Sequence, residues 1–335
     1  MKRFWIFVLS CAPALAAVSG TVTNRTTGKP QAGAVVGFYR LGTQNGLELV
    51  DQATSDAQGN FTINQTLQGP SLIRTAYAGV TYTHMLPPGS PSTGIALDVF
   101  DSSKQPGAAK ITKHMILFQP SGGQMAINET FLYQNDGKTA WYDADAGTLH
   151  FYLPAGAGGK AEVNATAPGG MPIGAALVKS SKPDVFGVDF PIKPGETRID
   201  IAYVTPYTEG APYEGKIVTR DENTYLIAPN GVTLKGDRLN DLGPEPQTQA
   251  HIYGLDGTAY KIELSGAPVA TADAGAADSG DDAAGGPQIE EVMPHMFGQS
   301  KLILALALGI LAVGFAILYR APVPGSKETN ERARR

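Results

Sequence analysis

The chain has 335 residues, room for two ordinary domains, with 17% charged residues and a formal net charge of −5. Nothing in that balance supplies the basic face that grips phosphates, which argues against nucleic acid as a partner. Gly (40) and Pro (24) exceed average usage without a Gly-X-Y period, so collagen is excluded and a turn-rich β-protein is favoured.

Residues 1–17 read as a secretory signal peptide, with Lys2 and Arg3 ahead of an apolar stretch from Phe4 to Ala12. Ala14-Leu15-Ala16 supplies small residues for cleavage, which places the mature start near Val18. A rival reading takes Val8-Leu9-Ser10-Cys11 as a lipoprotein box with Cys11 acylated. Cys11 is the only cysteine, so loss of the signal leaves no thiol for disulfides, thiolate metal ligation or thiol catalysis.

From residue 18 to 101 short apolar-alternating runs are separated by turn signals. Strands are expected at Val18 to Thr23, Ala34 to Leu41, Leu47 to Ser55, Phe61 to Asn64, Ser71 to Tyr77, Val80 to Met85 and Ile95 to Phe100. Seven strands without a helical period imply a small antiparallel sandwich. Gly20-Thr21-Val22-Thr23, Thr26-Thr27-Gly28-Lys29-Pro30, Ala34-Val35-Val36 and Thr54-Ser55-Asp56-Ala57-Gln58-Gly59-Asn60-Phe61 carry a resemblance to the carboxypeptidase regulatory-like domain family. The resemblance implies a transthyretin-like, carbohydrate-binding-like β-sandwich that rides as an accessory module on other proteins. It supplies no zinc peptidase site.

Residues 110–265 are expected to form a second β-sandwich. Met115 to Gln119, Met125 to Gln134, Gly147 to Leu153, Thr197 to Tyr203, Gly215 to Arg220, Thr224 to Ile227 and Tyr260 to Leu264 are its strand candidates. Ile199, Ile201 and Tyr203 alternate with Arg198, Asp200 and Ala202, which puts one face inside and one in water. Asp136-Gly137 and Asn230-Gly231 read as hairpin turns, and Ser121-Gly122-Gly123 as a hairpin loop. The run Asn128 to Asn135 resembles a strand of an immunoglobulin-like envelope domain.

Residues 266–299 form an Ala/Gly/Asp-rich linker with almost nothing to bury, acidic through Asp273, Asp278, Asp281 and Asp282. Leu302 to Tyr319 is 18 residues without a charge; as a helix it would span about 27 Å, enough to cross a bilayer. Ala305/Gly309 and Ala312/Ala316 have the spacing that lets such helices associate. Arg320, Lys327, Arg332, Arg334 and Arg335 make the tail 320–335 basic, so the positive-inside rule places it in the cytoplasm and residues 18–299 outside. The fold class expected is therefore mostly β: two antiparallel β-sandwiches in tandem and one C-terminal transmembrane α-helix, in the cytoplasmic membrane.

Chemistry-bearing residues are sparse. His84, His114, His150, His251 and His295 are scattered, with no spacing that sets two metal ligands side by side. Met293, His295 and Met296 offer soft ligands next to the expected span, too few to specify a metal. Asp143-Ala144-Asp145 lacks the downstream oxygens of a calcium loop and reads as an exposed acidic turn. No nucleophile elbow or carboxylate pair stands out, so no catalytic residue, metal or cofactor is assigned. Trp141 and Tyr142 are the ligand-binding candidates, with Tyr77, Tyr82, Tyr133 and Tyr152 in nearby strands, because sugars stack on exposed rings; the competing role of Trp141 is core packing. Asn24, Asn64, Asn128 and Asn164 sit in N-glycosylation acceptor patterns, which matter only in a cell that glycosylates secreted proteins. The expected function is a membrane-anchored extracytoplasmic binding or scaffolding module whose partners are other envelope proteins. Polysaccharide binding and an accessory role in an envelope redox or cytochrome-assembly complex are the rivals.

Overall fold

The computed structural model describes residues 17–41, 46–67, 69–219 and 224–269. The signal segment before residue 17, the expected span 302–319, the basic tail, Met293, His295, Met296 and most of the acidic linker lie outside them. The described chain is mostly β, in several sheets. No helix among the described residues is long and apolar enough to cross a membrane.

The first lobe holds β1 (Val18–Asn24), β2 (Lys29–Pro30), β3 (Val35–Leu41), β4 (Leu47–Thr54), β5 (Asn60–Ile63), β6 (Ser71–Tyr77), β7 (Val80–Leu86) and β8 (Ile95–Val99). One sheet centres on β1, which pairs with β2, β5 and β8; the other runs β4-β3-β6-β7. Their facing side chains meet in one core, Val18, Val22, Ile63 and Leu97 from the first sheet against Val36, Phe38 and Ile73 from the second. Period-2 burial along β5 and β8 is the reason these segments are strands. The turn Asp56–Asn60 is held by Asp56 Oδ1, which accepts from the Gln58 (2.9 Å) and Asn60 (2.8 Å) amides. Gly59 closes it at φ +78° and docks it on β1: the Val22 amide donates to Gly59 O at 2.7 Å, where any Cβ would overlap the Val22 carbonyl.

The second lobe begins with β9 (Ser102–Ser103) and the long hairpin β10 (Ala109–Ser121) and β11 (Gln124–Asn135). Gly122 and Gly123, both at positive φ, make its two-residue loop, as the Ser-Gly-Gly motif predicts. Then follow β12 (Ala140–Trp141), β13 (Leu149–Tyr152), β14 (Glu162–Thr166), β15 (Ile173–Gly174), β16 (Ala176–Lys179), β17 (Val185–Asp189) and β18 (Gly195–Pro206). The last six are β19 (Pro212–Lys216), β20 (Thr224–Ala228), β21 (Val232–Lys235), β22 (Leu239–Pro244), β23 (His251–Leu255) and β24 (Ala259–Gly266).

An eight-stranded sheet, β15-β14-β18-β11-β10-β20-β23-β22, dominates this lobe. Two three-stranded sheets, β13-β17-β16 and β19-β24-β21, share its core. Phe118, Ile127, Phe131 and Ile201 of the large sheet pack with Leu149, Phe151, Val188, Ile262 and Leu264 of the small ones. The small sheets thus cover one face of the large sheet.

Three expectations change. The sheets are not purely antiparallel: β1 with β8, β10 with β20, and β9 with β12 pair parallel, because long connections return the chain in the same direction. Asp136-Gly137 is no hairpin; Asn135 Oδ1 accepts from the Gly137 amide at 3.0 Å and the chain leaves the sheet for the joint described below. Asn230-Gly231 joins β20 of the large sheet to β21 of a small one, so it changes layers where a hairpin would pair neighbours. Strands β14 to β17 and β21 to β23 were not anticipated.

Candidate functional site

Trp141 and Tyr142 lie at the joint between the two cores. Trp141 is in β12, which pairs with β9, and its amide and carbonyl both bond Ile192 (3.0 and 2.9 Å). Its ring meets Tyr133 edge-on, centroids 6.0 Å apart, and packs against the second core. The Tyr142 hydroxyl donates to Asp189 Oδ1 at 2.9 Å, and its ring lies against Gly79 of the first lobe. Burial raises the Tyr142 pKa, with the Asp189 carboxylate adding to it. Both rings are engaged by protein.

The same joint absorbs other tyrosines. Tyr77 donates to Asp101 Oδ1 (3.1 Å), which also takes Asn24 Nδ2 (2.7 Å). Asn24 is buried, so that acceptor pattern has no exposed amide. Tyr82 donates to Phe100 O (3.1 Å), and burial pushes its pKa up to about 12. Lys193, from the loop after β17, reaches across to donate to Thr81 O (2.5 Å) with its ammonium 5.0 Å from the Tyr82 ring centroid. Burial lowers the Lys193 pKa to about 8. Thr26 Oγ1 donates to Lys138 O, and Ser102 Oγ to Ala78 O (2.7 Å). Lys104 bridges Asp145 (2.6 Å) and Asp143 (3.7 Å), so the acidic turn already has its cation. The fourth tyrosine, Tyr152, lies elsewhere, with Lys216 Nζ 5.4 Å from its ring centroid.

The histidines also stay apart. His114 Nε2 and Glu129 Oε1 form a buried pair at 2.6 Å, the imidazole stacked on Phe131 at 4.0 Å and its Nδ1 3.3 Å from Thr224 Oγ1. His251 pairs with Asp241 on the surface at 2.5 Å, which holds the Asp241 carboxyl below its usual range. His84 is exposed on β7, and His150 is partly exposed in β13. No cluster of three or more potential metal ligands occurs among the described residues.

What the sequence does not single out is the second face of the eight-stranded sheet. Alternation turns Ile116, Ile127, Ile201 and Leu226 inward and sends their neighbours to the other side, which no sheet covers among the described residues. Register aligns Leu117, Asn128, Ala202 and Glu162 in one row across four strands. Tyr225, Met115, Thr130, Asp200 and Asn164 form the next. A depression of about 500 Å³ runs over these rows. Its half on β10 and β20 is apolar, and its half on β11, β18 and β14 is polar.

The polar half is held in place by its own hydrogen bonds. Arg198 grips Asp200 through Nε (2.7 Å) and Nη2 (2.8 Å), and this bond raises the guanidinium pKa further. Thr130 Oγ1 donates to Asp200 Oδ1 at 2.7 Å. Asn128 Nδ2 donates to Gln119 Oε1 (2.9 Å), and Asn164 Nδ2 to Glu162 Oε1 (3.2 Å). Planar amides and a guanidinium are therefore orientated before any ligand arrives. The alternation of Arg198 and Asp200 with Ile199 and Ile201 was a usable signal for an outward face; which strands lie beside it was not readable.

A second depression of about 310 Å³ lies at β19, β24 and the loop before β22, lined by Lys216, Arg238 and Lys261 with Glu214 and Asp237. Lys261 is paired with Glu214 at 3.0 Å, and Arg238 leans on the Ala259 carbonyl at 3.4 Å.

No protein-family model matches the chain, and no curated protein matches it in sequence. The functional reading therefore rests on residues and geometry.

Proposed function

We propose that the chain is a membrane-anchored extracytoplasmic binding and scaffolding protein without catalytic activity, built as two tandem β-sandwiches. The observation that carries this reading is the face of the eight-stranded sheet that no other sheet covers among the described residues, whose side chains are already orientated by hydrogen bonds within the face. Fixed groups reduce the ordering cost of binding. In this reading the first lobe is the carboxypeptidase regulatory-like module, the second is an immunoglobulin-like sandwich, and the polar joint sets one against the other. The signal-like start and the apolar stretch 302–319 give the address, outside the cytoplasmic membrane with the tail inside.

The test is site-specific photo-crosslinking of the full chain in its native membranes. A photoreactive residue at Leu117, on the open face, is expected to form discrete adducts, and one at Glu263, exposed on β24, is not. Equal background at both positions would remove the open face as the binding surface. Protease added to intact spheroplasts should digest the described lobes; protection from it would reverse the proposed orientation.

A further inference from the structure

We infer that the ligand of the open face is a neutral pyranose chain lying across β20, β10, β11 and β18, an inference that rests on reading this face as the binding surface. A pyranose ring has an apolar side made of its C–H groups and a rim of hydroxyls, each donor and acceptor at once. The depression offers the matching halves. Met115, Leu117 and Ile227 form a partly exposed apolar platform, on which C–H groups lose contact with water.

Beside that platform stand Asn128, Thr130 and Arg198. Asn128 gives one amide hydrogen to Gln119, leaving its carbonyl oxygen and second N–H for a vicinal pair of hydroxyls. Arg198 uses Nε and Nη2 on Asp200, and its Nη1 is directed by that clamp. Neighbouring strands are about 4.8 Å apart, close to the length of one pyranose ring, so successive sugars fall over successive strands.

Other ligand chemistries fit less well. Asp200 and Glu162 lie on the same face and oppose a polyanion. An extended peptide binds a sheet by adding to its edge, whereas the backbone of β10, β11 and β18 is already paired on both sides. A protein partner anchors on large exposed side chains, and the apolar residues that line this depression, Met115, Leu117 and Ile227, are only partly exposed.

The experiment is affinity gel electrophoresis of the detergent-solubilised full chain through gels containing hydroxyethyl cellulose, xylan, dextran, mannan or polygalacturonate. At least one neutral polymer is expected to retard the protein, polygalacturonate is not, and Asn128→Ala and Arg198→Ala should each weaken retardation at least tenfold. Unchanged melting of both variants separates lost binding from lost fold, and Asn128→Asp, which keeps the shape, should also weaken binding. No retardation by any neutral polymer overturns the inference, as does retardation untouched by the substitutions. In the former case discrete Leu117 adducts with a protein leave the face as a binding surface and discard only the sugar; absence of adducts as well discards both.

Discussion

The joint around Trp141 and the open face of the eight-stranded sheet are made of similar residues and do opposite things. At the joint, Asn24, Tyr77 and Asp101 bond one another inside protein, and the Trp141 and Tyr142 rings press on Tyr133 and Gly79. On the open face, Thr130, Asp200 and Arg198 form a comparable network and Asn128 pairs with Gln119, with one side left to solvent. An aromatic pair in a sequence marks a place where much surface is buried, and here the protein itself provides that surface. Polar side chains repeating along a strand, a pattern that looks like ordinary solvation, mark the surface with the better geometry for a ligand.

Substitutions at the joint should act on stability, and substitutions on the face on binding alone. The largest effect is expected for Trp141→Ala, a loss of about 2–4 kcal/mol in urea unfolding with polysaccharide retardation unchanged under native conditions. Retardation lost at full stability would return the binding role to Trp141 and invert the comparison. Next is Asn24→Ala, which takes a donor from Asp101 and the acceptor from the Thr26 amide; about 1–3 kcal/mol is expected, measured in the same way.

Lys193 sharpens the joint by its pH dependence. Burial lowers its pKa to about 8 from 10.5, so the folded state penalises the ammonium at neutral pH. That cost is present in full below about pH 8 and disappears as the pH rises to 10.5, because within this window the unfolded chain binds the extra proton. The Thr81 carbonyl and the Tyr82 ring favour the ammonium and offset part of the penalty. The wild type should therefore gain about 1–2 kcal/mol between pH 8 and 10 that Lys193→Met lacks, as read by paired denaturation curves. Parallel curves for the two proteins would show that Lys193 is solvated. The smallest effect on stability is expected for Asn128→Ala, within about 0.5 kcal/mol; a larger loss would make the open face part of the framework.

Much of the first lobe was legible because its signals are local. The period-2 alternation of Phe61 and Ile63 or of Ile95, Leu97 and Val99, and the Asp56–Asn60 turn, each act within a few residues. In the second lobe β10, β11, β18, β20 and β24 were readable for the same reason. Strands such as β16 (Ala176–Lys179) and β22 (Leu239–Pro244) were not, since they sit at sheet edges and bury little. Asp136-Gly137 misled because the dipeptide suits a hairpin, while the Asn135 side chain holds a different turn there.

The sequence by itself determined the β character, the inward and outward faces of the long strands, and the lack of any cysteine beyond Cys11. Those follow from period, turn chemistry and composition, which need no knowledge of neighbours. Only the tertiary structure decided which strands lie side by side, that β8 and β20 join their sheets in parallel, and that Asn128, Thr130, Asp200 and Arg198 share one surface. Strand order is set by contacts between residues far apart in the chain. A surface made by four strands therefore leaves no mark in any single one of them.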